Sequence, residues 1–188
     1  MITVPLFRRR YTIPRWSPFE RKAAVDCYIA DSKVLSANER EHSYQWIVAH
    51  CAFGVGIVSE AVIDDRGIMF ANQTAMLMAL EDLRNKIAVT ELLIDGRDPY
   101  HFPLPHRSII RGDQSEPAIA AASIVAKVTR DRLMREYEKD FPLYEFAKHK
   151  GYGSGEHMAL IEKHGPCSLH RKTFLRRILE NQMLPLSA

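Results

Sequence analysis

Three short stretches of this chain hold residue types that can do chemistry. The first is Leu92-Leu93-Ile94-Asp95-Gly96, an apolar run closed by a carboxylate and a glycine. Such a run predicts a core strand with Asp95 at its C-terminal tip, where α/β sheets commonly place ligand chemistry. The plainer reading is turn chemistry, since Asp-Gly is an ordinary turn pair. The second is a polar row, Ser123, Lys127 and Asp131. Residues four apart stack on one helix face. Lys127 and Asp131 read either as an exposed ion pair of small value or as the edge of a cleft. The alanines beside them, which let another backbone approach, favour the cleft. The third is His149-Lys150-Gly151-Tyr152-Gly153, a glycine-flanked loop presenting a cation and an aromatic ring. A loop of this kind can approach a phosphate backbone and stack on a sugar or base.

Several elements must hold these groups in place. The polar row lies on a helix predicted from Ser115, placed to cap it, through Pro117 in its first turn, to Phe141. Ile119, Ala122, Ala126, Leu133 and Tyr137 recur near helical spacing and predict its core face. Ser36 and Glu39 have capping-box spacing and predict a helix to about Ala49. Strands are expected at Ile2–Phe7, Ala23–Ile29, Cys51–Val58, within Glu91–Asp98, and at Ser108–Arg111. Further helices are expected over Gln73–Ile87, over Glu156–His164 after a Ser154 cap, and over Leu169–Leu184. Strands first, then alternating helix and strand, then a helical tail predict an α/β fold with a mixed sheet.

Composition narrows the partners. At 188 residues the chain reads as one domain, and no apolar run approaches the roughly 18 residues of a membrane span. Cys27, Cys51 and Cys167 lack metal-site spacing and read as incidental thiols in a reducing cytoplasm. The net charge of +3 is uneven, +5 over residues 1–22 and −2 over the rest. A second basic cluster, His164 to Arg177, lies near the C-terminus. Basic surface beside aromatics fits a polyanion, though solvated surface charge fits the composition as well. An Arg-rich start also fits an import leader, but removing it would take away an expected first strand. His157, His164 and His170 lack close pairing with carboxylates and read as surface or structural residues.

From Asp31 to Phe174 the sequence resembles the ribonuclease HII family. The carriers are D-S-K-V-L-S at Asp31–Ser36, L-L-I-D-G at Leu92–Gly96, R-G-D at Arg111–Asp113, I-A-A-A-S-I-V-A-K-V-T-R-D at Ile119–Asp131, H-K-G-Y-G at His149–Gly153 and G-P-C-S-L-H-R-K-T-F at Gly165–Phe174. Their order and spacing are specific together. The resemblance implies a single ribonuclease H-like domain, a mixed sheet flanked by helices, with a C-terminal helical extension from about residue 150. It implies a monomeric, cytoplasmic, Mn²⁺- or Mg²⁺-dependent endonuclease acting on the RNA strand of RNA–DNA hybrids, including single ribonucleotides in duplex DNA. It assigns Asp95 and Asp131 as metal-binding catalytic carboxylates, Lys33 and Lys127 to phosphates, Lys150 to nucleic-acid binding, and Tyr152 to the sugar at the RNA–DNA junction.

One family motif is absent. Where D-E-A-G-R-G should precede the two prolines, this chain reads Arg8-Arg9-Arg10-Tyr11-Thr12-Ile13. Two metal-binding carboxylates then become cations. Three accounts fit: a reading-frame or start-site change over the opening residues, a descendant that binds hybrids without cleaving them, or an enzyme with other ligands such as Asp98 or Asp113.

Overall fold

A computed structural model of the chain describes residues 29–97 and 100–175 in full and the backbone of residues 2–8. The elements run β1 (Ile2–Arg8), α1 (Ala37–His50), β2 (Ala52–Val58), α2 (Glu60–Arg84), β3 (Leu92–Asp95), β4 (His106–Ile109), α3 (Gly112–Ser115), α4 (Pro117–Asp140), a 3₁₀ turn (Pro142–Tyr144), α5 (Phe146–His149) and α6 (Gly155–His164). Residues 172–175 are again helical. The expected strand Ala23–Ile29, Asp98 and the chain beyond residue 175 lie wholly or largely outside the described residues.

β1 pairs with β2 antiparallel, and β3 with β4 parallel. Both senses of a mixed sheet are therefore present, as two ladders among the described residues. Alternation along β2 explains why helices cover both of its faces. Phe53 and Val55 pack with Ile47 of α1 and Ile124 and Val125 of α4. Gly54, Gly56 and Val58 point the other way, onto α2. A further cluster joins Leu80 and Leu83 of α2 to Leu92 and Ile94 of β3.

The local signals for α1 and α6 hold. Ser36 Oγ accepts from the Glu39 N–H and Glu39 Oε2 from the Ser36 N–H, at 3.3 and 2.9 Å. Ser154 Oγ accepts from the His157 N–H. Other boundaries move. α2 begins at Glu60, well before Gln73, because two helices join across Gly67, whose φ of 81° breaks the helical run. Glu116, not Ser115, holds the N-cap position of α4, without a side-chain cap, since Ser115 ends α3 and donates its hydroxyl to the Arg111 carbonyl. Of the expected core face of α4, Ile119 is buried, but beyond it the buried stripe is rotated. Ala121, Ile124, Val125 and Val128 form it, while Ala122, Ala126, Leu133 and Tyr137 are only partly buried.

Asp64 ties α2 to the chain's last described turn. Its carboxylate accepts from the N–H groups of Lys172 and Thr173 and from the Thr173 hydroxyl, the last at 2.6 Å. Burial pushes this carboxyl up, but those hydrogen bonds outweigh it and hold it below the ordinary value. A depressed carboxyl stabilises the fold above its unfolded pKa and loses that effect as pH falls through its folded one. Asp64→Ala is expected to cost about 1 kcal/mol at pH 7 and less at pH 3, read from thermal melts at both.

Candidate active site and nucleic-acid cleft

The parallel pairing of β3 and β4 determines which carboxylates meet. In register, Asp95 lies opposite Ile109, so both strand tips end at one edge. The chain leaving β4 turns through Arg111, in the left-handed region at φ 55°, into Gly112-Asp113. The Gly112 N–H then donates to Asp95 Oδ1 at 2.8 Å. Gly112 allows this approach: a Cβ there would stand 2.4 Å from Ile119 Cδ1 and 3.4 Å from Asp95 Oδ1. Burial, and then the carboxylates of Asp31 and Asp95, push the Asp113 carboxyl above its ordinary value, with Lys33 opposing them. Lys33 Nζ stands 3.8 Å from Asp113 Oδ2.

Asp131 belongs to a different neighbourhood. Ile119 marks the part of α4 beside Asp95. Asp131 lies three turns further along, about 18 Å at ~1.5 Å per residue. Its Oδ1 accepts from Lys127 Nζ at 2.7 Å, within one helix face. The structure thus brings Asp95 together with Asp113 and separates it from Asp131. The resemblance assigns the second carboxylate to Asp131 of the T-R-D motif and leaves Asp113 only as an alternative ligand. Its signal was the glycine-aspartate step after a strand, recognisable once β3 and β4 are paired.

Lys33 is carried on a tight turn. Asp31 Oδ1 accepts the Lys33 N–H, and the Arg40 guanidinium of α1 donates to the carbonyls of Ser32 and Leu35. The Lys33 side chain is left 82% exposed. Ser123 meets this turn from α4, its Oγ accepting the Ser32 N–H at 3.4 Å. A cleft of about 650 Å³ opens beside it, walled by Lys33, Ser123, Lys127, Arg130 and Tyr152. Lys127 Nζ lies 4.9 Å and the Arg130 guanidinium 5.6 Å from the centre of the Tyr152 ring. Two cations and a half-exposed ring suit a sugar-phosphate strand. Arg130 stands off the four-residue spacing of the polar row, so no sequence signal marks it for the cleft.

Lys150 points elsewhere. It adopts φ 53°, and its ammonium donates back to the Ala147 carbonyl. Burial and the neighbouring cations Arg135 and Lys127 push it below the ordinary lysine range. Its carbonyl instead accepts from Arg130 Nη2 at 3.1 Å, which fastens the loop to α4.

The arrangement is a two-ladder α/β fold with one carboxylate at the tip of β3, another just beyond β4, and a basic aromatic cleft alongside. A solved structure with this architecture is the ribonuclease H2 from Pyrococcus horikoshii OT3, with TM-score 0.64, 24% identity and 80% coverage of each chain. In sequence, residues 20–179 match the family model of ribonuclease HII. A ribonuclease HII from Geobacter metallireducens is 48% identical over 148 residues, 78% of this chain and 68% of that protein. One from Caldanaerobacter subterraneus subsp. tengcongensis is 42% identical over 153 residues, 81% of this chain and 63% of that protein. The chain belongs to the ribonuclease HII family, the type 2 ribonucleases H. It spans about two thirds of the length of these two relatives.

Proposed function

We propose that the chain is an endonuclease hydrolysing the RNA strand of RNA–DNA hybrids, single ribonucleotides in duplex DNA included. The observation that carries the reading is the convergence of Asp95, at the tip of β3, and Asp113, in the short helix α3 that follows β4. Both offer oxygen donors, which suit a hard divalent ion such as Mg²⁺ or Mn²⁺. Burial, and then the carboxylates of Asp31 and Asp95, push Asp113 up, and a bound cation would relieve the part owed to those neighbours. The donor set is partial: among the described residues no group of three or more His, Cys, Asp or Glu is arranged to hold an ion. Asp95 and Asp113 would hold the metal, which when bound activates water and neutralises charge on the phosphate.

The chain's other residues bind and orient. Lys33 reaches a phosphate beside the carboxylates. Lys127 and Arg130 hold the strand further along the cleft, with Asp131 keeping Lys127 in place. Tyr152 offers a face for the sugar at the junction. Lys150 acts through its carbonyl on Arg130. A monomer in the cytoplasm completes the reading. Among the described residues no helix is long and apolar enough to cross a membrane.

A second reading is favoured by Arg8-Arg9-Arg10, which stand where the family's first carboxylates should be. It is a protein that binds hybrids and does not cut them. A duplex carrying one ribonucleotide separates the two. The endonuclease nicks it when a divalent ion is supplied and stops in EDTA. The binding protein holds it in EDTA, with affinity that falls steeply as salt rises. Folded protein that gives no nick with either Mg²⁺ or Mn²⁺ rules out the first reading.

A further inference from the structure

Behind Tyr152 lies a group of buried imidazoles that the proposed chemistry leaves unused. His149, His157 and His170 are 8%, 5% and 7% exposed. His157 Nδ1 stands 2.9 Å from the Tyr152 carbonyl oxygen. A carbonyl only accepts, so Nδ1 carries the proton. In a neutral ring Nε2 is then a bare acceptor. That atom faces His170 Nε2 at 3.0 Å, so His170 must donate from Nε2. His170 Nδ1 is left as the acceptor, and it receives the Cys167 N–H at 2.9 Å. Backbone groups at the two ends therefore fix every proton between them.

The same loop is tied a second time. His149 donates from Nε2 to the Tyr144 carbonyl at 2.6 Å and accepts the Gly151 N–H on Nδ1 at 3.2 Å. Its ring stacks on that of His157, centroids 4.0 Å apart. Between these two ties Lys150 and Gly151 both adopt positive φ, a turn with little intrinsic preference to hold its shape. Tyr152 is meanwhile 54% exposed, its ring standing in the cleft.

We propose that His157 and His170 are positioning residues for Tyr152. Their chain of neutral hydrogen bonds, from the Cys167 amide to the Tyr152 carbonyl, sets where the ring meets the nucleic acid. The inference rests on the reading of Tyr152 as a nucleic-acid contact. It goes beyond packing because it demands one proton arrangement, whereas packing demands only shape. A second proton on His157 would set N–H against N–H at the His157–His170 contact, and one on His170 would set its Nδ1–H against the Cys167 amide N–H. Burial and the neighbouring His157 push His170 down to about 4, and burial also lowers His157, which keeps both rings neutral near pH 7. The groups around the pair are the His149, Tyr144 and Phe146 rings, Cys167, and, from α4, α2 and the chain's end, Arg130, Glu60 and Arg171.

The test uses the full chain labelled with ¹⁵N. Imidazole nitrogen shifts should assign the proton to Nδ1 of His157 and to Nε2 of His170; a proton on Nε2 of His157 overturns the proposal. His157→Asn keeps an N–H near the Nδ1 position, and His157→Gln keeps one near Nε2. The first should retain hydrogen-exchange protection at Gly151–Gly153 and hybrid affinity within about threefold. The second should lose the protection, and about tenfold in affinity, the worth of one hydrogen bond. Equal protection in both variants, with melting temperatures matched, overturns the proposal. If the wild-type chain binds no hybrid at low salt, the nucleic-acid reading fails, while the nitrogen shifts and loop protection still decide the positioning.

Discussion

Asp113→Asn is expected to lower metal-dependent nicking by about 10²–10³-fold in kcat, the usual loss when one charge-stabilising group leaves an active site. Asp131→Asn should fall by no more than about fivefold and mainly in KM, since it frees Lys127 from a partly buried ion pair worth about 1 kcal/mol. The contrast follows from position: Asp113, in α3, sits beside Asp95 at the tip of β3, and Asp131 sits three turns beyond Ile119 along α4. The Asp113→Asn protein should also melt higher than wild type at neutral pH without divalent ions. A carboxyl raised in the folded state favours the fold below its unfolded pKa, and that advantage disappears as pH rises through the folded value. At pH 7 the ionised group is a liability among Asp31 and Asp95, and the amide is not. The gain should vanish near pH 3, where the carboxyl and the amide are both neutral. Kinetics on a single-ribonucleotide duplex and melts at the two pH values check this. Nicking lost in the Asp131 variant and kept in the Asp113 variant would reverse the assignment.

Gly56→Ala is expected to be the most damaging small change in the described core. A Cβ at Gly56 would lie 1.9 Å from the Ala75 carbonyl oxygen, and one at Gly54 2.0 Å from that of Ala79. These are backbone atoms of α2, so no side chain can swing aside. Ala75 and Ala79 are themselves fully buried, which leaves the helix no room to slide. Overpacking of this kind costs about 3 kcal/mol or more. For a chain of this size that lowers the melting temperature by roughly 6–12 °C. Gly155→Ala is the control, because nothing lies within 4 Å of its Cβ position and it opens α6. It should change stability by no more than about 0.5 kcal/mol. An unchanged melting temperature for Gly56→Ala would mean that β2 does not rest on α2.

What the sequence made legible was local. The Ser36–Glu39 and Ser154 caps, the strand ending at Asp95 and the long α4 all announce themselves within a few residues. What it hid depends on pairing between distant segments. Asp113 becomes a partner of Asp95 only when β3 and β4 align in parallel. Lys150 has the right charge in the right loop, yet its positive φ turns the ammonium back onto α5. His157 and His170 read from sequence as surface or structural residues, and both are buried. Their mutual contact, across thirteen residues, carries no periodic signal.

The Asp64 contact has a consequence for the order in which the molecule assembles. It joins residues 108 and 109 positions apart, and Leu175 enters the same core cluster as Met134, Tyr144, Phe146 and Ile161. Contacts of such long range form late, because loop closure must precede any gain from them. As the chain leaves the ribosome, β2, α2 and β3 can dock early, while Met134, Phe146 and Ile161 wait uncovered. Only when the segment through Leu175 has emerged can the wall behind Tyr152 close. The wall behind Tyr152 is therefore expected to close late, with Met134, Phe146 and Ile161 open to wrong contacts until the segment through Leu175 packs on them.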